Sequence, residues 1–245
     1  MKTIRNTFAV FFIFIIFLFT TNGALGLSQS DEIEQSLSLD IVNIVEKRLI
    51  LPLSESDKAY AYFLLAVYKH DAKARENAEK VYKGIASPES QAFLGSIEML
   101  KARDLERRGF IASLIDLFKK ESYIQTGIKK IERAASDHPE NLDIRIVRAI
   151  TFFELPSVFR KFQVGLEDIK TIINWIKEGK ITVPKDETFF RDTSSIYYFA
   201  GKYFLKINQI PQAKEMFVKS SESSDQSPFS AAARKRLSFI LRRDM

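Results

Sequence analysis

The sequence predicts an all-α protein built from antiparallel helix pairs, and three observations carry that expectation. Hydrophobic periodicity near 3.6 runs through almost every segment after Ser30, while the period-two alternation of strands is sustained nowhere. Turn and cap signals divide the chain into about ten or eleven short helices joined by short connections, which favour antiparallel neighbours. Gly201 and Ala213 stand twelve residues apart, framed by Tyr197, Phe204 and Phe217. Small residues at that spacing let two helix axes approach closely, because axis separation follows the side chains at the crossing.

A first helix is expected over 31–49, followed by helices over 55–69 and 72–84 joined at a His70-Asp71 turn. Ser87-Pro88-Glu89 is an N-cap followed by proline at the first helical position, where the missing N–H costs nothing. The helix it opens carries Glu98, Lys101, Arg103, Asp104, Glu106, Arg107 and Arg108 as opposite charges three and four apart, a pattern that reads as a solvated face. Helices over 110–118 and 122–136 follow, and His138 before Pro139 closes the second, since a residue preceding proline is held extended. The next helix, 142–154, stops at Leu155-Pro156-Ser157, and others are expected over 158–177, 187–206 and 211–221. Ser227-Pro228 opens the last. There Arg234, Lys235, Arg236, Arg242 and Arg243 flank Leu237, Phe239, Ile240 and Leu241. That composition suits an amphipathic cap on the preceding helix pair, or contact with an anionic membrane surface.

The stretch 194–225, with Tyr197, Gly201, Phe204, Ala213 and Phe217, resembles one tetratricopeptide unit. Gly127, Ile131, Ala134 and Pro139 fall at the spacings of such a unit's second helix and closing proline, with Ile111, Leu114 and Phe118 on its first helix. Ala149, Phe152, Gly165 and Ile169 make a further unit with about four extra residues around Pro156. Tyr62, Leu65, Ala66, Ala78 and Tyr82 make one near the front, and Leu94-Gly95 opens a poorly matched one. The span 92–173 is also similar to uncharacterised exported or membrane-linked bacterial proteins of tetratricopeptide type, through Gly95-Ser96, the run Asp137, His138, Pro139, Glu140 and Asn141, and the Arg-rich helix ending in Leu155-Pro156. The resemblance implies a right-handed superhelix of αα-hairpins and no known activity.

Lys2 and Arg5 precede twelve uninterrupted apolar residues, 8–19, and the chain then turns small and polar to Gly26. These are the parts of a secretory signal. As a helix the apolar run reaches about 18 Å, short of the ~30 Å hydrocarbon layer, so cleavage is expected over retention as an anchor. Ala24-Leu25-Gly26 places small residues where a signal peptidase reads them, giving a signal over 1–26 and a helical domain over 27–245, with a cut after Gly23 as the alternative. No cysteine is present, which excludes disulfides, thiolate chemistry and a lipidated cysteine. Without Lys2 and Arg5 the formal charge falls from +6 to +4, only mildly basic. With no Asn-x-Ser/Thr acceptor either, an exported bacterial protein, periplasmic or at the cell surface, is expected.

Arg145 and Arg148 are the sharpest anomaly, since the repeat register puts these cations where apolar groups normally meet the partner helix. Three residues apart they share a face and could converge on a carboxylate or phosphate. An internal ion pair with Glu132, Glu167 or Asp168 is the more economical expectation. Phe152 and Phe159 bracket the Pro156 break and Phe189 with Phe190 precedes Tyr197; such aromatics are core, or line a groove for a peptide. His70 and His138 have no second histidine or cysteine with which to bind metal, and the common hydrolase, nucleotide and zinc-protease motifs are missing. The expectation is a non-catalytic exported scaffold without cofactor or metal, holding a protein or peptide segment on its inner face around Arg145 and Arg148. The alternatives are binding or turnover of a small anion by those arginines and a membrane-tethered assembly component. Export argues against nucleic acid.

Overall fold

Cap chemistry sets where the helices begin. In the computed structural model, which describes residues 29–105, 110–181, 183, 192–224 and 226–243, without the side chains of 110–115 and 243, ten α-helices follow one another. They are α1 (Gln29–Arg48), α2 (Glu55–Tyr68), α3 (Ala72–Gly84), α4 (Pro88–Asp104), α5 (Phe110–Asp137), α6 (Leu142–Glu154), α7 (Phe162–Lys177), α8 (Thr193–Lys206), α9 (Ile210–Ser223) and α10 (Pro228–Arg243). The side chains of Ser54, Asp71, Ser87, Asn141 and Asp192 accept from the backbone N–H three residues on, at 3.1, 2.9, 3.3, 3.1 and 3.2 Å. Each satisfies a donor that a helix start leaves without an intrahelical partner. His70 adopts a left-handed φ of 57° between α2 and α3, the expected turn. No strand occurs among the described residues.

Three expected boundaries change. The helices anticipated over 110–118 and 122–136 are one 28-residue helix, α5, because nothing between Phe118 and Ser122 breaks a helix: Lys119, Lys120 and Glu121 are good formers. The helix expected from 158 begins at Phe162, after a 3-10 turn over Ser157–Phe159 that ends on Arg160 at a φ of 54°. The helix expected from 187 begins at Thr193 under the Asp192 cap; Phe189 and Phe190 lie outside the described residues.

The closest helix neighbours are consecutive: α2 with α3, α4 with α5, α6 with α7, α8 with α9, and α9 with α10. The alternate helices α2, α4, α6, α8 and α10 also touch in that order, forming a row. Small residues make these approaches possible. A Cβ on Gly201 would lie 2.6 Å from the Phe217 ring, so the predicted Gly201, Ala213 and Phe217 crossing of α8 and α9 is in place. Ala66 and Ala78, both fully buried, sit on α2 and α3. Gly127 does not pair with a helix over 110–118, however. It faces Gly95 of α4, and a Cβ on Gly127 would come 2.5 Å from the Gly95 carbonyl oxygen. The first helix of that pair is therefore α4; Phe118 is 64% exposed, and the side chains of Ile111 and Leu114 lie outside the described residues.

Gly165 of α7 packs under Tyr203, whose hydroxyl donates to the Ala149 carbonyl at 2.6 Å and so ties α8 to α6. Tyr203→Phe is expected to lower stability by about 1 kcal/mol, one buried hydrogen bond, read by urea denaturation. Ser194, Ser220 and Ser230 link α8, α9 and α10 in the same way: Ser220 donates to the Ser194 carbonyl at 2.8 Å and Ser230 to the Ser220 carbonyl at 2.5 Å.

Of the charges expected as a solvated face, Glu98, Lys101, Arg103 and Asp104 are partly buried on α4, while Glu106, Arg107 and Arg108 lie outside the described residues. Lys101 bridges to Glu79 of α3 at 2.9 Å, Arg75 of α3 binds Asp104 at 2.6 Å, and Arg103 donates to the Ala66 carbonyl of α2 at 2.7 Å. With α4 buried on several sides, its charges point between helices rather than into water.

Candidate functional site

Arg145 and Arg148 lie on one face of α6, as their spacing requires, and both meet Asp168 of α7. Arg145 Nη1 donates to Asp168 Oδ1 at 2.6 Å, and Arg148 grips both oxygens through Nε at 2.6 Å and Nη2 at 2.7 Å. Asp168 is 1% exposed and the two arginines 19% and 16%. Arg145 also donates to the Pro139 carbonyl at 2.7 Å and stacks 5.0 Å from the centre of the Trp175 ring. Of the three carboxylates that could have paired with the arginines, Glu132 instead takes Lys161 and Glu167 takes Gln163 and Lys170. Asp168 is the buried one, four residues before Ile172 on the core face of α7.

Phe152 is fully buried against Met99, Ile128 and Ile131, and Phe159 packs on the edge of that cluster. Phe152 therefore offers no surface to a partner. Ala134 is buried on α5 and Pro139 exposed beyond its end, while Tyr197 is half-buried on α8 beneath Lys219. Among the described residues no group of three or more histidines or carboxylates is arranged to hold a metal ion, and no helix is long and apolar enough to cross a membrane. The apolar run over 8–19 lies outside them.

A second constellation was not anticipated, and it forms where α1 meets the far end of the chain. Ile33, Leu37, Ile41 and Val45 recur every four residues and are all buried. Four residues turn a helix by about 400°, so the stripe winds slowly round α1. It belongs to the same apolar cluster as Leu64 and Leu65 of α2, Phe153 of α6, Tyr198, Phe199 and Tyr203 of α8, and Phe229 and Ile240 of α10. Each such aliphatic residue contributes about 1.5–3 kcal/mol on full burial.

Glu34 sits beside this stripe and is clamped from two helices. Its Oε1 accepts from the Tyr198 hydroxyl at 2.7 Å and from Arg236 Nη2 at 2.6 Å, and its Oε2 from Lys202 at 3.2 Å. Burial pushes the Glu34 carboxyl up, but Lys202, the Tyr198 hydroxyl and Arg236 outweigh it and hold it below the usual carboxylate value. Burial, with the Glu34 charge alongside, raises the Tyr198 phenol well above its usual range, so it stays a donor. Lys235 donates to Ser36 at 2.8 Å, and at the other end of α1 Glu46 takes Lys69 at 2.7 Å. One signal in the sequence marked this site: Arg236 interrupts the apolar stripe Phe229, Ala232, Ala233, Ile240 of α10, all four buried.

Among the described residues, ten helices, nine of them packed closely on a sequence neighbour, make an all-α fold compatible with a helical repeat. Comparison with protein-family models, with curated proteins and with solved structures finds no match.

Proposed function

We propose that this chain is an exported, non-catalytic scaffold: a tetratricopeptide-like superhelix whose row of α2, α4, α6, α8 and α10 presents a face that holds a helical segment of another protein. The observation that carries this reading is the seating of α1. An amphipathic helix has its apolar stripe in one core cluster with side chains of α2, α3 and α6 to α10, and its carboxylate in a pocket of one phenol and two cations from α8 and α10. A face so complementary to a helix is of the kind that helical-repeat proteins use for recognition. The arginine centre supports the same reading over a small anionic ligand, because Asp168 already takes three guanidinium hydrogen bonds and neutralises one of the two charges. The partner-binding centre accordingly moves from Arg145 and Arg148 to the Tyr198, Lys202 and Arg236 cluster.

The test is photo-crosslinking in the native envelope fraction, with a benzophenone amino acid in place of Lys235 beside α1 or of the exposed Phe118 on α5. Capture of one recurrent protein at 235 and not at 118, through a segment of helical periodicity, is the expected result. Equal capture at both positions, or none, would refute it. The same sample reads the mature N-terminus, expected at Leu27, and a start at Met1 would establish the anchored form instead.

A further inference from the structure

Every helix from α2 to α10 lies close along a sequence neighbour, backbone against backbone, whereas α1 forms none of these close pairings among the described residues. Its attachment runs through side chains: the Ile33, Leu37, Ile41 and Val45 stripe, Glu34 in its clamp, and the Lys69 and Lys235 contacts at either end. A short connector, 49–54, joins it to α2, and there Ile50 is 84% exposed and Leu51 51% exposed. Leu49 and Leu53 pack on the core at either end of the connector, so only its middle, Ile50 and Leu51, is free of apolar contacts with that core.

On the scaffold reading above, on which this inference rests, we propose that α1 is the exchangeable resident of the partner-binding face, and that the face recognises a partner's amphipathic helix of the same chemistry. That helix would carry aliphatic residues at i, i+4, i+8 and i+12 and a carboxylate at i+1. The aliphatics take the places of Ile33, Leu37, Ile41 and Val45, and the carboxylate that of Glu34 between Tyr198, Lys202 and Arg236. The charge pattern supports the assignment. Tyr198, Lys202 and Arg236 all donate to Glu34, with Lys202 also 3.6 Å from Glu154, so an occupant without a carboxylate at that place gives up the acceptor that three donors share. Because α1 supplies the same groups in cis, a partner gains the face only by displacing it, and free α1 lowers the apparent affinity by its own occupancy.

The probe is a fluorescent peptide of residues 29–48 added to the full chain and followed by anisotropy. The Ile41→Asp chain, with its own α1 loosened, is expected to bind the wild-type peptide at least tenfold more tightly than the wild-type chain does. The Ile41→Asp and Glu34→Gln peptides are expected to bind at least tenfold more weakly than the wild-type peptide. Equal binding of the wild-type peptide by both chains, with circular dichroism showing both helical, would overturn the proposal. If Ile41→Asp does not fold, hydrogen exchange on the wild-type chain decides. Amides of 33–48 exchanging at least tenfold faster than those of α8 support exchange of α1, and equal protection overturns it. A light-scattering mass of two chains that swap α1 would assign the face to a second copy and overturn the partner assignment. Peptide binding without any capture at position 235 would sink the scaffold reading while leaving α1 exchangeable. Capture at 235 with α1 fully protected would do the reverse.

Discussion

Asp168→Asn is expected to lower folding stability by about 3 kcal/mol, because it removes the counter-charge from two arginines at once. Asparagine keeps the shape, but its NH2 group would face guanidinium donors, and donors cannot satisfy one another. Arg145 and Arg148 are 19% and 16% exposed, so water recovers part of their solvation. That places the loss at the lower end of the range for breaking a buried pair. Arg148→Leu strips Asp168 of its bidentate partner and is expected to cost nearly as much, while Arg145→Leu costs less, since one hydrogen bond to Asp168 is lost rather than two. Urea melts of Asp168→Asn, Arg148→Leu and the double variant should show a coupling of at least about 1 kcal/mol. Additive losses would mean that the α6 to α7 ion pair contributes nothing of its own. Reading all three variants also separates this structural role from ligand binding, for which the leucine variant would have left the fold intact.

Gly127→Ala is expected to destabilise by about 2 kcal/mol, although alanine favours a helix over glycine by about 1 kcal/mol. The added methyl would sit 2.5 Å from the Gly95 carbonyl oxygen and 2.6 Å from Met99 Cγ. Met99 can swing aside, but the carbonyl belongs to the α4 backbone and cannot yield without separating the two helices, and overpacking of that kind costs about 1–3 kcal/mol. Gly84→Ala serves as the control. Nothing lies within 4 Å of its added Cβ at the end of α3, so helix propensity acts alone and the change is expected to be neutral or slightly stabilising. Thermal melts of the two variants should move in opposite directions or, at the least, only Gly127→Ala should fall. A Gly127→Ala protein as stable as the parent would mean that α4 and α5 are not held at that crossing.

The helices with strong local punctuation were legible residue by residue. Ala72–Gly84 and Leu142–Glu154 have the boundaries that Asp71 and Asn141 dictate as caps, and Pro88 and Pro228 open helices where proline is tolerated. Gly201, Ala213 and Phe217 were readable because both sides of that crossing fall within one hairpin, so sequence spacing measures it. Gly127 was misplaced because its counterpart is Gly95, across an intervening stretch whose length no repeat pattern reports. The charges of α4 were misread for a related reason: pairs three and four apart look complete on their own helix until α3 and α5 supply competing partners.

The sequence by itself determined the helical class, the caps, the hairpin crossings made by near neighbours and the need for a counter-ion beside Arg145 and Arg148. Each of these follows from forces acting within one or two helical turns, or from the cost of leaving a buried cation unpaired. Only the tertiary structure decided that Asp168 and not Glu132 or Glu167 is that counter-ion, that Gly127 meets Gly95, and that α1 docks on α8 and α10 through a carboxylate 164 residues from Tyr198 and 202 from Arg236. Contacts at such separations depend on how whole helices stack, and stacking is set by the summed shape and burial of many side chains rather than by any local pattern.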